Sequence, residues 1–236
     1  SAASDVYKRQ GLLVSAWVFL APFVGTPLRQ PQDKATAPAG ARRLVTTHQL
    51  WQTWAGWVIP LIFTAPLFTQ DIYSYLANGS IVAQGMDPYS AGPVQLLGAG
   101  NKLARSVPFI WANSPSPYGP VALGLAAVVS AVTSNSILLG VITHRLLSIA
   151  GIIVAGWAIS CLAQRCRVSP ESALWLGILN PLTILHLVGG IHNESIMLGL
   201  LLVGMELGLR GVDKLDASRR SAYLALVASG FCLSCA

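Results

Sequence analysis

The run ILLGVITHRLLSIAGIIVAGWAISCLA, from Ile137 to Ala163, is the longest apolar stretch of this chain, and Arg145 is its one charged residue. A helix needs about 20 predominantly apolar residues to cross a bilayer, so this run is long enough to span it with some tilt. The run therefore predicts a transmembrane helix and an integral membrane protein.

The composition of the whole chain agrees with that prediction. Of its 236 residues, 53% are hydrophobic and 10% are charged, with a mean hydropathy of +0.59. A soluble domain carries roughly 25% charged residues, so the composition excludes a disordered chain and argues against a single soluble domain. The net charge of +6 indicates membrane topology rather than a nucleic-acid partner, because Lys and Arg mark cytoplasmic loops.

The charged residues separate apolar runs that predict an all-α, polytopic transmembrane helical bundle. The predicted spans are about 11–25, 50–69, 137–163, 173–188, 195–209 and a truncated run at 221–236. The polar stretch 1–10 is interpreted as a non-native N-terminal remnant, which leaves a partial transmembrane domain over 11–236. The short last run predicts that the chain is a fragment of a longer protein.

The basic loops orient these spans. Three groups are predicted to be cytoplasmic: Arg29, Lys34, Arg42 and Arg43; Arg165 and Arg167; and Arg210, Lys214, Arg219 and Arg220. The loop 70–118 and the turn 189–194 then lie outside, provided that the apolar run 119–132 does not cross. That run is shorter than the roughly 17 residues of a minimal span, so we predict a re-entrant or interfacial helix. The outer loop, with short interfacial helices, then faces the extracytoplasmic side of the plasma membrane.

Two aspartates of the outer loop are candidates for chemistry. Asp71 follows an apolar span, and two interpretations are open: it caps the next helix, or it acts as a general base where the headgroup of a lipid-linked substrate lies. Asp87 precedes Pro88, a pair typical of turns, and a direct catalytic role is its alternative interpretation.

Arg145 lies inside an apolar run, where a charge costs at least about 2.5–3.5 kcal/mol and needs a partner. Its guanidinium suits a phosphate, since it offers a planar fork of donors. An ion pair with Glu206 is the structural alternative, but Glu206 is predicted near the cytoplasmic end of its span, whereas Arg145 is predicted nearer the outer end. The neighbouring His144 points to another helix face and is interpreted as a packed histidine.

A glycine-rich turn between two apolar runs brings three polar side chains together. Gly189 and Gly190 allow close backbone approach, and His192, Asn193 and Glu194 follow within the next few residues. These side chains offer the donors and acceptors that sugar hydroxyls and phosphates require, although a polar tight turn would look similar.

Several motifs are absent from the sequence. It has no Asp-x-Asp pair for a nucleotide-sugar and its metal, and no glycine-rich phosphate loop. Cys232 and Cys235 form a lone Cys-x-x-Cys spacing without a second pair, so no metal or cofactor is predicted. A nucleotide donor is therefore disfavoured, whereas a lipid-linked donor fits an outward-facing site.

An ordered set of motifs carries a resemblance to a known family. The motifs are QDIYSYLANG (70–79), GMDPY (85–89), SPYGP (116–120), HRLL (144–147) and the pair NPL and GGIHNE within 180–194. The set, which covers about residues 48–236, resembles the actinobacterial polyprenol-phosphomannose-dependent alpha-1,6-mannosyltransferases of lipomannan synthesis, which are membrane glycosyltransferases of the GT-C fold. Family members have more spans than this chain.

The resemblance implies a mechanism. Polyprenyl-phosphate mannose would be the donor, a glycolipid mannan the acceptor, and the transfer would invert the anomeric centre without a metal or cofactor. Asp71 matches the acidic residue of the family's first outer loop and would deprotonate the acceptor 6-hydroxyl. Arg145, His192, Asn193 and Glu194 would bind the donor, and Tyr75, Tyr118, His144 and Asp87 are further candidates.

Two other function classes stay open at this point. A transporter or flippase of lipid-linked sugars also uses broken helices and an intramembrane arginine, although no inverted second copy of a broken helix is present in the sequence. A noncatalytic membrane scaffold predicts that Asp71 can be replaced without consequence.

Overall fold

The computed structural model describes residues 2–24 and 45–236, and every regular element in those ranges is helical. The α-helices are α1 (Ala2–Val24), α2 (Thr47–Val58), α3 (Asp71–Ala83), α4 (Pro93–Leu97), α5 (Lys102–Ser106), α6 (Phe109–Ala112), α7 (Pro120–Val132), α8 (Ile137–Arg165), α9 (Pro170–Gly177), α10 (Glu194–Asp213) and α11 (Arg219–Cys235). A 3-10 helix covers Ile59–Phe63, and a π-helix covers Thr183–Gly189. The all-α prediction is confirmed for this part of the chain.

Two of these helices are long and apolar enough to cross a membrane. They are α8, which contains the predicted span 137–163, and α10, which contains the predicted span 195–209. The helix α7 has 13 residues and stays below the length of a span. The basic loop that was used to orient the first spans lies almost wholly at 25–44, outside the described residues.

Proline interrupts two of the apolar runs that the sequence predicts as single spans. In the run 173–188, α9 ends at Gly177, and Asn180 Oδ1 accepts a hydrogen bond from the backbone N–H of Leu182 before the π-helix begins. Pro181 lacks an N–H and disfavours helical backbone at the residue before it, which explains the break. In the same way, the run 50–69 changes from α2 to the 3-10 helix at Ile59, the residue before Pro60.

The described chain divides into two compact units. The first comprises Ser1–Ile59, Ile152–Ile184 and Leu198–Ser234. Its buried charge is Glu206, whose carboxylate accepts hydrogen bonds from Arg165 Nε at 2.7 Å and from Arg210 Nε at 2.6 Å. Glu206 is thus paired within this unit, so the alternative of an ion pair with Arg145 is not realised.

The second unit comprises Pro60–Gly151, Leu185–Met197 and Cys235–Ala236, and α3 lies at its centre. Helices α3 and α7 pack so closely that a Cβ on Gly79 would lie 2.3 Å from the carbonyl oxygen of Ala126. A glycine is therefore needed at this contact. The hydrophobic core of this unit includes Ile72 and Leu76 of α3, together with Leu103, Val141 and Ile191.

Candidate functional site

A pocket of about 110 Å³ opens beside α3 in the second unit. One face of this helix lines it, because Asp71, Ser74 and Asn78 follow one another at spacings of three and four residues. The segment between α5 and α7 supplies Trp111 and Tyr118 to the same pocket. The pocket thus combines a carboxylate, small polar side chains and aromatic surface, a composition that suits a polar organic ligand.

Asp71 is the first residue of α3 and does not cap it. Gln70 occupies the N-cap position and makes no side-chain cap hydrogen bond. The backbone N–H of Asp71 donates to Thr69 Oγ1 at 3.1 Å. Within residues 2–24 and 45–236, no side chain forms an ion pair with the Asp71 carboxylate. The capping interpretation is therefore wrong, and the carboxylate is available in the pocket.

Two tyrosines connect Asp71 with the predicted polar turn. The rings of Tyr75 and Tyr118 meet edge to face, with centroids 4.9 Å apart. Burial, with a smaller contribution from nearby charges, raises the pKa of Tyr75 above its ordinary value. Burial, together with the negative charges of Asp71 and Glu194, raises the pKa of Tyr118 to about 12. Both phenols therefore stay protonated at neutral pH and can donate hydrogen bonds.

The backbone of the turn 189–194 is tightly constrained. A Cβ on Gly190 would lie 2.5 Å from the carbonyl oxygen of His186, so a glycine is required there. Ile191 adopts a positive φ of 59°, which is strained for a β-branched residue, and its side chain is buried in the core beside Ile72. Such strain persists only where the surrounding structure fixes it.

The polar side chains of the turn lie close to the tyrosine pair. His192 Nδ1 is 3.5 Å from Glu194 Oε2, and Glu194 is more than half exposed. The negative charge of Glu194 contributes to the raised pKa of the Tyr75 hydroxyl. The structure therefore brings Asp71, Tyr75 and the three polar residues of the turn to one side of the second unit.

Arg145 donates its hydrogen bonds to backbone carbonyl groups. Its side chain is fully buried. Nη1 donates to the carbonyl oxygens of Ile62, at 3.1 Å, and Thr64, at 2.6 Å, and Nη2 donates to that of Gly189 at 3.3 Å. Of the three guanidinium nitrogens, Nε alone has no hydrogen-bond partner among the described residues. The guanidinium thus joins the segment before α3 to the glycine-rich turn.

The two remaining candidates lie outside the pocket lining. His144 is buried, its Nδ1 is 2.9 Å from the carbonyl oxygen of Gly140, and its ring lies 6.1 Å from that of Tyr75. Asp87 is exposed, and its Oδ1 accepts a hydrogen bond from the backbone N–H of Tyr89 at 2.9 Å, the geometry of a turn.

Sequence reasoning missed Ser74, Asn78 and Trp111, which all line the pocket. For the first two, a signal was available, since both share the helix face of Asp71. Trp111 carried no such signal, because only the fold returns its segment to α3. In the part of the chain that the structure describes, no group of three or more His, Cys, Asp or Glu residues is placed to hold a metal ion.

Comparison with known proteins gives a consistent result. Residues 6–236 match the family model described as alpha-(1->6)-mannopyranosyltransferase, N-terminal domain. An alpha-(1->6)-mannopyranosyltransferase B of Corynebacterium glutamicum is 56% identical over 227 residues, which are 96% of this chain and 36% of the relative. An alpha-(1->6)-mannopyranosyltransferase of Mycobacterium tuberculosis is 47% identical over 165 residues, which are 70% of this chain and 28% of the relative.

A third relative, an alpha-(1->6)-mannopyranosyltransferase A of Corynebacterium glutamicum, is 38% identical over 201 residues, which are 85% of this chain and 39% of that protein. The chain therefore spans about a third of the length of the relatives that it matches. No solved structure matches it.

Proposed function

Since the chain belongs to the alpha-(1->6)-mannopyranosyltransferase family, whose N-terminal domain model it matches, we propose that it carries the catalytic base of a membrane mannosyltransferase. The donor in this proposal is polyprenyl-phosphate mannose, and the acceptor is the 6-hydroxyl of a glycolipid mannan. The reaction takes place at the extracytoplasmic face of the plasma membrane, in a multi-pass helical bundle of the GT-C type.

The observation that carries the proposal is the unpaired carboxylate of Asp71 in a pocket with polar and aromatic walls. A general base has to reach the proton that it removes, and a carboxylate already engaged in an ion pair would be a weaker base. Asp71 has neither a capping bond nor an ion pair among the described residues, and it opens into a space that a sugar hydroxyl can enter.

The proposed reaction is a single displacement. The Asp71 carboxylate takes the proton of the acceptor 6-hydroxyl, and the oxygen attacks C1 of the mannose. The bond between C1 and the phosphate oxygen breaks, and polyprenyl phosphate leaves with the electron pair, so a beta-linked donor gives an alpha product. The proposal includes no metal ion, because the leaving group departs with a charge that nearby hydrogen-bond donors can stabilise.

The turn 189–194 supplies the donor contacts in this proposal. His192, Asn193 and Glu194 lie beside the tyrosine pair and can hydrogen-bond to the mannose or the phosphate. The carbonyl contacts of Arg145 support a positioning role for this residue instead of direct phosphate binding. Its guanidinium holds the turn and the segment before α3 in place, so that the donor-binding side chains and Asp71 are positioned at one reaction site.

Replacing Asp71 with asparagine tests the proposal, because the change keeps the shape of the side chain and removes the base. Membranes that contain the protein at the full length of its family are supplied with radiolabelled polyprenyl-phosphate mannose and a short alpha-1,6-mannoside. We expect the rate of transfer to fall by about 100-fold or more, within the range for general-base loss. Asp216→Asn is the matched control, since it removes an exposed carboxylate outside the site and should leave the rate unchanged.

The other function classes predict different results in the same assay. A flippase binds the lipid donor and moves it across the bilayer but transfers no sugar in either protein. A noncatalytic scaffold shows no dependence of any activity on Asp71. Either result would refute the assignment of Asp71 as the base.

A further inference from the structure

Two buried side chains on the pocket face of α3 lack the partners that buried polar groups normally have. Ser74 is 4% exposed and Asn78 is 3% exposed, and both line the pocket that contains Asp71. Ser74 Oγ and Asn78 Oδ1 have no hydrogen-bond partner anywhere in the described residues. Most buried polar atoms in folded proteins are hydrogen-bonded, so this pair requires an explanation.

Two other buried hydroxyl groups of the same unit are satisfied. Ser80, which is 1% exposed and also on α3, accepts a hydrogen bond from Gln84 Nε2 at 3.0 Å. Thr133 Oγ1 donates to the carbonyl oxygen of Val129 at 2.7 Å. A buried helical serine commonly bonds its own backbone in this way when no other partner is present. The missing bonds of Ser74 and Asn78 thus contrast with the satisfied hydroxyl groups of Ser80 and Thr133.

The chemistry of the pair matches a carbohydrate. A serine hydroxyl both donates and accepts, and an asparagine amide presents an acceptor oxygen beside a donor nitrogen. Each sugar hydroxyl is likewise a donor and an acceptor. Trp111, which is about half exposed, adds an apolar ring to the same pocket, and Pro93 adds a rigid wall. Binding sites that combine apolar walls with few polar groups fix the orientation of their ligand through those polar groups.

We propose that Ser74 and Asn78 form the acceptor-sugar site, where they bind hydroxyls of the terminal acceptor mannose and orient its 6-hydroxyl toward Asp71. This inference rests on the proposed function, since it names the substrate that enters the pocket. It gives two residues a role in acceptor recognition and leaves the donor contacts to the turn 189–194.

Kinetics of the variants Ser74→Ala and Asn78→Ala test the assignment in membranes that contain the full-length protein. With a synthetic alpha-1,6-linked mannobioside as the acceptor, we expect the KM for the acceptor to rise about 10-fold for each variant, the effect of one lost hydrogen bond of about 1.4 kcal/mol. The KM for polyprenyl-phosphate mannose should stay within about two-fold of its original value. Ser80→Ala is the matched control: it changes a buried serine of the same helix outside the pocket lining, and both constants should be unchanged.

A stability measurement separates binding from a structural role. Removing a hydroxyl that has no partner in the empty protein should leave the thermal unfolding temperature in detergent unchanged or raise it. Ser80→Ala, which removes a satisfied hydrogen bond, should lower the temperature. A clear loss of stability in Ser74→Ala would overturn the proposal, because it would show that the hydroxyl supports the fold.

Equilibrium binding of the mannobioside distinguishes failure of this inference from failure of the proposed function. If the original protein binds the mannobioside and Ser74→Ala does not, the acceptor site holds even where no transfer is measured. If transfer proceeds and both variants keep the original acceptor KM, the site is wrong and the function stands. If the original protein neither binds the mannobioside nor transfers mannose to it, both are overturned.

Discussion

Replacing Arg145 should destabilise the second unit, because its guanidinium satisfies backbone carbonyl groups that have no helical partner. Arg145→Ala removes the donor to Ile62 O and Thr64 O, whereas Gly189 O keeps a second donor, the backbone N–H of Leu67 at 3.0 Å. Two carbonyl groups of half-buried residues are therefore left unsatisfied.

The size of the effect follows from those two groups. An unsatisfied buried acceptor costs about 1–3 kcal/mol, which gives about 2–6 kcal/mol for the pair. Hydrogen bonds measured inside membranes average only about 0.6 kcal/mol, since the unfolded state there also finds partners. We therefore expect a loss near 2 kcal/mol, the lower end of the range. Arg145→Lys should lose a similar amount, because a compact ammonium cannot reproduce the planar fork that reaches all three oxygens.

Thermal unfolding of the detergent-purified protein, followed by size-exclusion of the remaining monomer, measures this loss. Arg105→Lys is the control, since Arg105 is an exposed arginine on α5 in the same unit and should keep its stability. If both Arg145 variants unfold at the original temperature but raise the KM for the lipid donor, the structural reasoning is refuted. Arg145 would then contact the donor phosphate, as the sequence alone predicts.

Two further substitutions test contacts within each unit. Gly79→Ala should prevent the close packing of α3 on α7, since the added Cβ would lie 2.3 Å from the carbonyl oxygen of Ala126, and the unfolding temperature should fall. Gly124→Ala is the control: its added Cβ has open space around it, and the unfolding temperature should stay unchanged. Unchanged stability in Gly79→Ala would contradict the observed packing. Glu206→Gln should lower the unfolding temperature at low and at high salt, because it removes the buried charge that pairs with Arg165 and Arg210. If high salt abolished this loss of stability, the ion pairs would be screened by solvent and the reasoning would be wrong.

The helical class and the main candidate residue could be predicted from the sequence because both depend on local composition. A long apolar run in a membrane favours a helix, because the helix satisfies its own backbone polar groups, and α8 contains the run from Ile137 to Ala163 as predicted. Where a proline interrupts such a run, as Pro181 does, composition alone gives a single span, although the structure has a break there. Crossing of the bilayer and the face of the site stay predictions.

The partners of individual side chains were decided only by the tertiary structure. The sequence shows that Arg145 is a charge in an apolar run and needs a partner, but carbonyl groups some 80 residues earlier in the chain cannot be identified from it. The same holds for Trp111, which reaches the pocket through the fold alone. Residue types and helical periodicity can be read directly from the sequence. The sequence by itself therefore determined the helical class of the protein, the family resemblance and the choice of Asp71 as the candidate base. Hydrogen-bond partners and the walls of a pocket depend on which distant segments pack together. The structure alone therefore decided that Arg145 binds backbone carbonyl groups, and that Ser74 Oγ and Asn78 Oδ1 are buried beside Asp71 without a partner in residues 2–24 and 45–236.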